Sequence, residues 1–255
     1  MENKGGKQGS ILSARDLCLT YKNADTPALD HINLDLPAGK ISGLLGPNGA
    51  GKTSFLSIAA ALIKPQSGRL SIDGLDVGRF HGRVRERIGF IPQDLALYPR
   101  LSGRENLEYY GAMYGVPHRQ LSLRIDEYLD RFGLVAKADQ RVSTYSGGMK
   151  RRINILAGVL HAPRLLFLDE PTVGIDAQSR NMILESLVEM NEQGISMVYT
   201  SHYMEEVQAL CTHIAVMDQG RVIAQGNPGE LVAGHTGCNN LSDLFLQLTG
   251  KALRD

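Results

Sequence analysis

The chain has 255 residues, 43% of them hydrophobic and 21% charged, with 28 glycines; this is the make-up of a folded protein rich in tight turns and excludes disordered and collagen-like chains. Lysine plus arginine and aspartate plus glutamate each total 27, so the formal net charge is +0 and no excess positive field draws the whole molecule to nucleic acid. The length exceeds the roughly 100 to 200 residues of a common domain, which predicts one large domain carrying a subdomain.

The first ten residues, MENKGGKQGS, are polar and glycine-rich and lack the apolar stretch of a secretion signal. Residues 1–10 are therefore expected to be a flexible lead, and the protein to stay in the cytoplasm. From ILSARDLCLTY to HINLDL, apolar and polar residues alternate as in half-buried antiparallel strands. KISGLLG then reads as a short buried strand entering a glycine loop, and KTSFLSIAAALI as the helix that follows.

That loop, GPNGAGKT, has the spacing of a phosphate-binding loop: Gly, four residues, Gly, Lys, then Ser or Thr. Gly46, Gly49 and Gly51 permit backbone conformations and close approaches that a side chain would block, so that successive amides point at phosphate. Lys52 adds a full charge at the β and γ phosphates, and Thr53 offers a hydroxyl to magnesium. The following helix contributes free amides and about half a positive charge at its N-terminus. The run Gly46, Pro47, Asn48, Gly49, Ala50, Gly51, Lys52 and Thr53, extended by Ser54, is assigned to nucleotide binding.

PQSGRLSIDGLDV supplies another alternating strand between turn signals, and RIGFIPQ an apolar strand stopped by Pro92. From about Leu95 to Leu160 the pattern turns helical, with RENLEYYGAMYG and LSLRIDEYLDRFGL spaced at three and four. Strands return with RLLFLDE and ISMVYTSH around the helical AQSRNMILESLVEMNEQG, the alternation of a parallel sheet. No internal repeat is apparent, and no stretch approaches the roughly 18 apolar residues that would cross a bilayer, so any membrane role is peripheral. Cys18, Cys211 and Cys238 lie far apart without ligand spacing and read as buried or idle thiols.

LLFLDE is an unbroken apolar run ending in two carboxylates. Asp169 is placed to hold magnesium or its waters, and Glu170 to orient and deprotonate an attacking water; the other reading is that both merely favour the start of the next helix. His202 follows the next strand and is a candidate contact to the γ phosphate, although a lone histidine most often carries no chemistry. Gln93 after IGFIP reads by itself as a turn residue.

YSGGMKRR, Tyr145 to Arg152, raises a different question, because it offers a second glycine turn before a helix in a chain that already has a phosphate loop. Taken together and in this order, the motifs resemble the ATP-binding cassette family, the ATPase subunits of ABC transporters. GPNGAGKT is similar to the Walker A motif, LLFLDE to Walker B, Gln93 to the Q-loop, YSGGM to the signature, VGID with Asp176 to the D-loop and His202 to the switch histidine. Tyr21 is similar to the aromatic that stacks on adenine. The likeness covers nearly the whole chain.

The resemblance implies an α/β fold: a RecA-like P-loop NTPase core, an antiparallel β layer and a helical signature subdomain. The cassette would run over about 11–230, with the core in 11–94 and 161–230, the helical subdomain in 95–160 and a helical tail in 231–255. It implies ATP and Mg²⁺ as ligands, with Thr53, Gln93 and Asp169 at the metal and Glu170, His202, Gln93 and Lys52 in catalysis. It also implies a head-to-tail homodimer or paired cassette in which Ser146, Gly147 and Gly148 of one copy cap the γ phosphate held by the other. Tyr145 and Met149 depart from the usual leucine and glutamine of the signature. Arg151 and Arg152 read as a solvated helix face.

The implied function is ATP hydrolysis driving a separate integral membrane permease, at the inner face of the cell membrane. The permease would dock near Gln93 and DLALYPRLSGRENLEYYGAMYG through a helix in a groove. SGGMKRR and the tail LSDLFLQLTGKALRD are similar to the drug-export branch, although the tail's stripe of Leu241, Leu244, Phe245 and Leu248 equally suits docking on its own core. The alternative is a soluble member acting in cluster assembly or on nucleic acid or ribosomes. Too few residues separate Lys52 from Ser146 for the long coiled coil of genome-maintenance members, the chain has one P-loop where translation-linked members usually have two, and direct nucleic-acid binding is not expected. A P-loop kinase or GTPase would leave YSGGM and His202 without a role.

Overall fold

The computed structural model describes residues 9–250, so that residues 1–8 of the expected lead and 251–255 of the tail lie outside the described residues. The alternating start of the chain forms β1 (Ser10–Leu19) and β2 (Leu29–Pro37), which pair antiparallel with Leu12, Ala14 and Leu17 buried. The wholly buried β3 (Ile41–Leu45) feeds the glycine loop and then α1 (Lys52–Ala59). This helix is shorter than its composition predicts: Ala61 adopts φ 55°, and the amides of Leu62 and Ile63 both turn back to Ser57 O. β4 (Ser67–Ile72) and β5 (Leu75–Asp76) return to the first sheet, and α2 (His81–Arg85) leads into β6 (Ile88–Ile91).

A helical stretch follows, with α3 (Gly103–Met113), α4 (His118–Arg131) and α5 (Gly147–Ala157). Local chemistry starts α3 sharply: Ser102 Oγ accepts the Glu105 amide at 3.1 Å and Glu105 Oε2 accepts the Ser102 amide at 2.7 Å. Then come β7 (Leu165–Asp169), α6 (Ala177–Glu192), β8 (Ser196–Thr200), α7 (Met204–Leu210), β9 (His213–Asp218), β10 (Arg221–Gly226), α8 (Pro228–Ala233) and α9 (Leu241–Thr249).

Two sheets result. One is antiparallel in the order β2-β1-β4-β5; the other runs β10-β9-β3-β8-β7-β6, parallel from β9 to β6 with β10 antiparallel at its edge. The parallel sheet is covered on both faces, which is why its strands are continuous apolar runs. In β7, Leu165 and Phe167 point to the side of the antiparallel sheet and α1, whereas Leu166 and Leu168 join α5, α6, α7 and α9. Leu241, Leu244 and Phe245 of α9 are buried in this second core, with Leu248 packed against it, so the tail's apolar stripe is consumed by the chain itself. Among the described residues no helix is long and apolar enough to cross a membrane.

The C-terminal ends of β3, β8, β7 and β6 lie side by side along one edge of the sheet, where open α/β sheets place their ligands. These four ends carry the glycine loop, His202, Asp169 with Glu170, and Gln93 respectively.

Candidate functional site

A cleft of about 360 Å³ opens at that edge, lined by Ala28, the loop from Asn48 to Ser54, Gln93, Asp169 and Glu170. Gly51 shows why the loop needs glycine. Its φ is 102°, and a Cβ there would run into the carbonyl of Ala28. The next residue opens α1, so the free amides of the first helical turn face the cleft.

Lys52 is buried and donates to Gly46 O at 2.6 Å and Pro47 O at 3.2 Å, carbonyls of its own loop. Burial lowers its pKa from the ordinary lysine value, against the opposing pull of Glu170 and then Asp169. A cation held by neutral carbonyls with carboxylates across the cleft is placed to exchange those contacts for phosphate oxygens.

The carboxylates are held from the neighbouring strand. Thr200 Oγ1 donates to Asp169 Oδ1 at 2.8 Å and accepts the Glu170 amide at 2.9 Å, so one hydroxyl at the end of β8 fixes the end of β7. Glu170 directly follows β7, in the left-handed region with φ 48°, a backbone state that non-glycine residues adopt where surroundings hold them. Its Oε1 meets His202 Nε2 in direct contact. The structure thus joins His202 to Glu170, a pairing that their separate strands do not announce.

Tyr21 stands at the mouth of the cleft, 48% exposed, its hydroxyl 3.2 Å from that of Ser54. An exposed ring beside a phosphate loop offers a free face for stacking. Gln93 is tied down through its backbone: Arg151 donates Nη1 to Pro92 O at 2.9 Å and Nη2 to Gln93 O at 2.6 Å. Asn154 of the same helix accepts the Ala96 amide at 3.1 Å.

The solvated-face reading of Arg151 and Arg152 is therefore wrong. Both are buried, and Arg152 Nη1 donates to Phe132 O at 2.7 Å. Their guanidiniums take up the carbonyls of Pro92, Gln93 and Phe132, partners that helical periodicity does not reveal.

The second glycine turn lies elsewhere: Ser146, Gly147, Gly148 and Asp176 do not line the phosphate cleft. Ser146 is the N-cap of α5, its Oγ accepting the Met149 amide at 3.2 Å, which leaves the hydroxyl proton free to donate outward. A Cβ on Gly148 would run into Ser179 Oγ, so this glycine lets α5 meet the start of α6. There Asp176 accepts the Ser179 amide at 2.9 Å, and that amide holds the Asp176 carboxyl below its usual range.

The unusual Tyr145 is buried, and its hydroxyl donates to Lys137 O at 2.5 Å in the space left by the missing side chain of Gly103. Met149 packs partly buried against the helical core. Cys211 is buried, which pushes its thiol up to about 12, and the three cysteines are unpaired. Sequence reading missed Thr200, although a hydroxyl residue at a strand end directly before Ser-His is a visible signal. It also missed Arg151 and the buried Glu206.

Three comparisons bear on this geometry. Residues 29–173 match the model of a family described as ABC transporter. The chain is 45% identical over 225 residues to a linearmycin resistance ATP-binding protein of Bacillus subtilis, covering 88% of this chain and 70% of that one. It is 40% identical over 227 residues to a daunorubicin resistance ATP-binding protein of Streptomyces coeruleorubidus, covering 89% and 71%. A solved dimeric ATP-binding cassette in a post-hydrolysis state with ADP and Pi superposes with a TM-score of 0.77 at 25% identity, over 85% of this chain and 98% of that one.

Proposed function

Because this chain belongs to the ABC transporter family, as an ATP-binding and ATP-hydrolysing subunit, we propose that two copies, or one copy and a paired cassette, enclose ATP between them and drive a separate membrane permease. The observation that carries this reading is the division of the site. The cleft holds the loop, Lys52 and the carboxylates, while the signature turn does not line it and keeps its serine proton and the amides of Gly147 and Gly148 for another group.

In this reading the amides from Gly49 to Thr53 and the Lys52 ammonium hold the phosphates, and Tyr21 stacks on adenine. Glu170 takes a proton from the attacking water as its oxygen bonds to the γ phosphorus and the bond to ADP breaks. His202, in contact with Glu170, faces the same phosphate. Ser146, Gly147 and Gly148 of the other copy donate to the γ phosphate from the opposite side, with Asp176 beside them at the junction.

The donor set suits Mg²⁺. Among the described residues no three His, Cys, Asp or Glu side chains form a metal cluster. The cleft instead offers the Thr53 hydroxyl, the Asp169 carboxylate and the Gln93 amide, hard oxygen donors that would hold the ion together with substrate phosphates. When bound there, the ion neutralises charge on the β and γ phosphates.

Two relatives are named for resistance to linearmycin and daunorubicin, which supports export of drugs or other hydrophobic compounds as the transport step. The permease is proposed to dock where Leu95, Tyr98, Tyr109 and Met113 are exposed beside Gln93. Crosslinking from Tyr109 in native membranes should capture an integral membrane protein, and capture of soluble proteins alone would overturn the transport reading. Turnover should rise faster than linearly with protein concentration in the dilute range; a strictly monomeric chain with concentration-independent specific activity would overturn the shared site.

A further inference from the structure

Glu206 lies in α7 shortly after His202, and its side chain is buried, whereas helix glutamates are ordinarily solvated. Its Oε2 accepts three hydroxyl protons, from Tyr199 at 2.6 Å, Thr172 at 2.8 Å and Ser201 at 2.9 Å. Among the described residues the other oxygen has no hydrogen-bond partner; it lies 3.9 Å from Arg180 Nη1, a guanidinium of α6 that also stacks 5.4 Å from the Tyr203 ring. Burying a carboxylate costs several kcal/mol before its partners offset it, so packing alone would favour an apolar side chain here.

The donors sit at particular places in the chain. Thr172 follows Glu170 by one intervening residue, and Ser201 immediately precedes His202. Ser201 Oγ also accepts the Tyr203 amide at 3.0 Å, fixing the turn on the far side of His202. One carboxylate oxygen thus gathers the turn that carries the base and the turn that carries the histidine, which come from different strands, β7 and β8. Neither Thr172 nor Ser201 nor Glu206 lines the phosphate cleft.

We propose that Glu206 is a positioning residue for hydrolysis: by binding the hydroxyls of Thr172 and Ser201 together, it holds His202 against Glu170. This rests on the assignment of Glu170 and His202 to hydrolysis. Arg180 and Tyr203 extend the same contact to α6, just beyond Asp176.

The test compares Glu206→Gln in the full chain and in a His202→Ala chain, measuring kcat and KM for ATP with Mg²⁺ present. Glutamine keeps the size and one acceptor but removes the charge that draws three donors to one atom. In the otherwise native chain kcat should fall about 10- to 100-fold, the range that supporting partners of a site residue command, with KM within about twofold. In the His202→Ala background the same change should cost at most about twofold, because its effect passes through the histidine. Thr172→Val, which deletes one hydroxyl and no charge, should show the same dependence on His202 with a smaller loss, and decides the matter if Glu206→Gln does not fold. Equal losses in both backgrounds, a loss confined to ATP affinity, or an unchanged kcat would each overturn the proposal. A His202→Ala chain that turns over at the native rate would instead sink the site assignment, and this inference with it.

Discussion

The phosphate cleft and the signature turn are built from the same device, a glycine-rich turn opening a helix, yet the fold treats them oppositely. Around α1 the chain supplies its own counter-groups: Lys52 buried against loop carbonyls, Asp169 and Glu170 across the cleft, and Thr200 fastening both. Around α5 the Ser146 hydroxyl accepts the Met149 amide of its own helix, and the start of α6, with Ser179 and Asp176, lies against Gly148. A helix N-terminus alone is a weak anion site, worth about 0.3–1 kcal/mol at an exposed position, so the second turn gains a purpose only when a ligand is delivered to it already bound. On the proposed function, the contrast teaches that one half of the reaction chamber is complete in the single chain and the other half is offered to a partner.

The sharpest way to break the contrast is to disable the complete half without emptying it. Glu170→Gln should slow hydrolysis by about 100- to 10,000-fold while nucleotide still binds, because the amide keeps the shape of the base and cannot take the proton. ATP-bound dimer should accumulate and elute ahead of the apo chain. Native turnover in this variant would remove Glu170 from the role and leave the cleft a binding site only.

The outward half is tested by complementation. Lys52→Ala and Ser146→Arg chains should each be inactive alone, and their mixture should recover activity limited to one working interface per heterodimer. Activity of the mixture equal to the native chain, or none at all with mixed dimers demonstrably formed, would contradict the shared arrangement.

A smaller effect is expected where the two halves are joined. Arg151 of α5 donates to the carbonyls of Pro92 and Gln93, which ties the signature helix to the Gln93 turn. Arg151→Met should destabilise the chain by about 1.5–3 kcal/mol, the range for hydrogen bonds from a charged donor. Amide exchange from Gln93 to Ala96 should accelerate more than exchange in β3 or β7. Uniform acceleration would mean that Arg151 serves general stability and no such joint exists.

These two halves were also unequally legible. The phosphate loop can be read from eight consecutive residues because its chemistry is local, and LLFLDE because burial on both faces of a sheet forces an apolar run before the acids. Fold class followed from the same alternation of patterns. Thr172 and Glu206 could not be read, since a hydroxyl or a helix glutamate looks solvated until neighbouring strands enclose it. Arg151 and Arg152 misled for that reason: their position on α5 is ordinary, and only the incoming carbonyls of residues 92, 93 and 132 bury them. The β9–β10 hairpin was legible but went unread; its turn at Gln219 and Gly220, with φ 46° and 76°, has the Gly-containing form that favours tight hairpins.

The smallest effect concerns the residue that sets this signature apart. Tyr145 reaches Lys137 O through the space beside Gly103, inside the helical stretch rather than toward the phosphate. Tyr145→Phe removes the hydroxyl and leaves the ring in place; Lys137 O keeps the Gln140 amide at 3.0 Å and the Gly103 amide keeps Gln140 O at 3.3 Å, so no backbone group is stranded. The loss should therefore sit at the low end of the usual range, about 0.5–1 kcal/mol, lowering Tm by about 1–4 °C for a chain of this size. Gly103→Ala should cost more, because its Cβ would meet the Tyr145 hydroxyl, and less once Tyr145 is phenylalanine. Turnover per folded dimer should be unchanged in Tyr145→Phe. A kinetic defect at unaltered Tm would show instead that the hydroxyl acts on the Ser146 turn, and the outward half would then be tuned by its own chain after all.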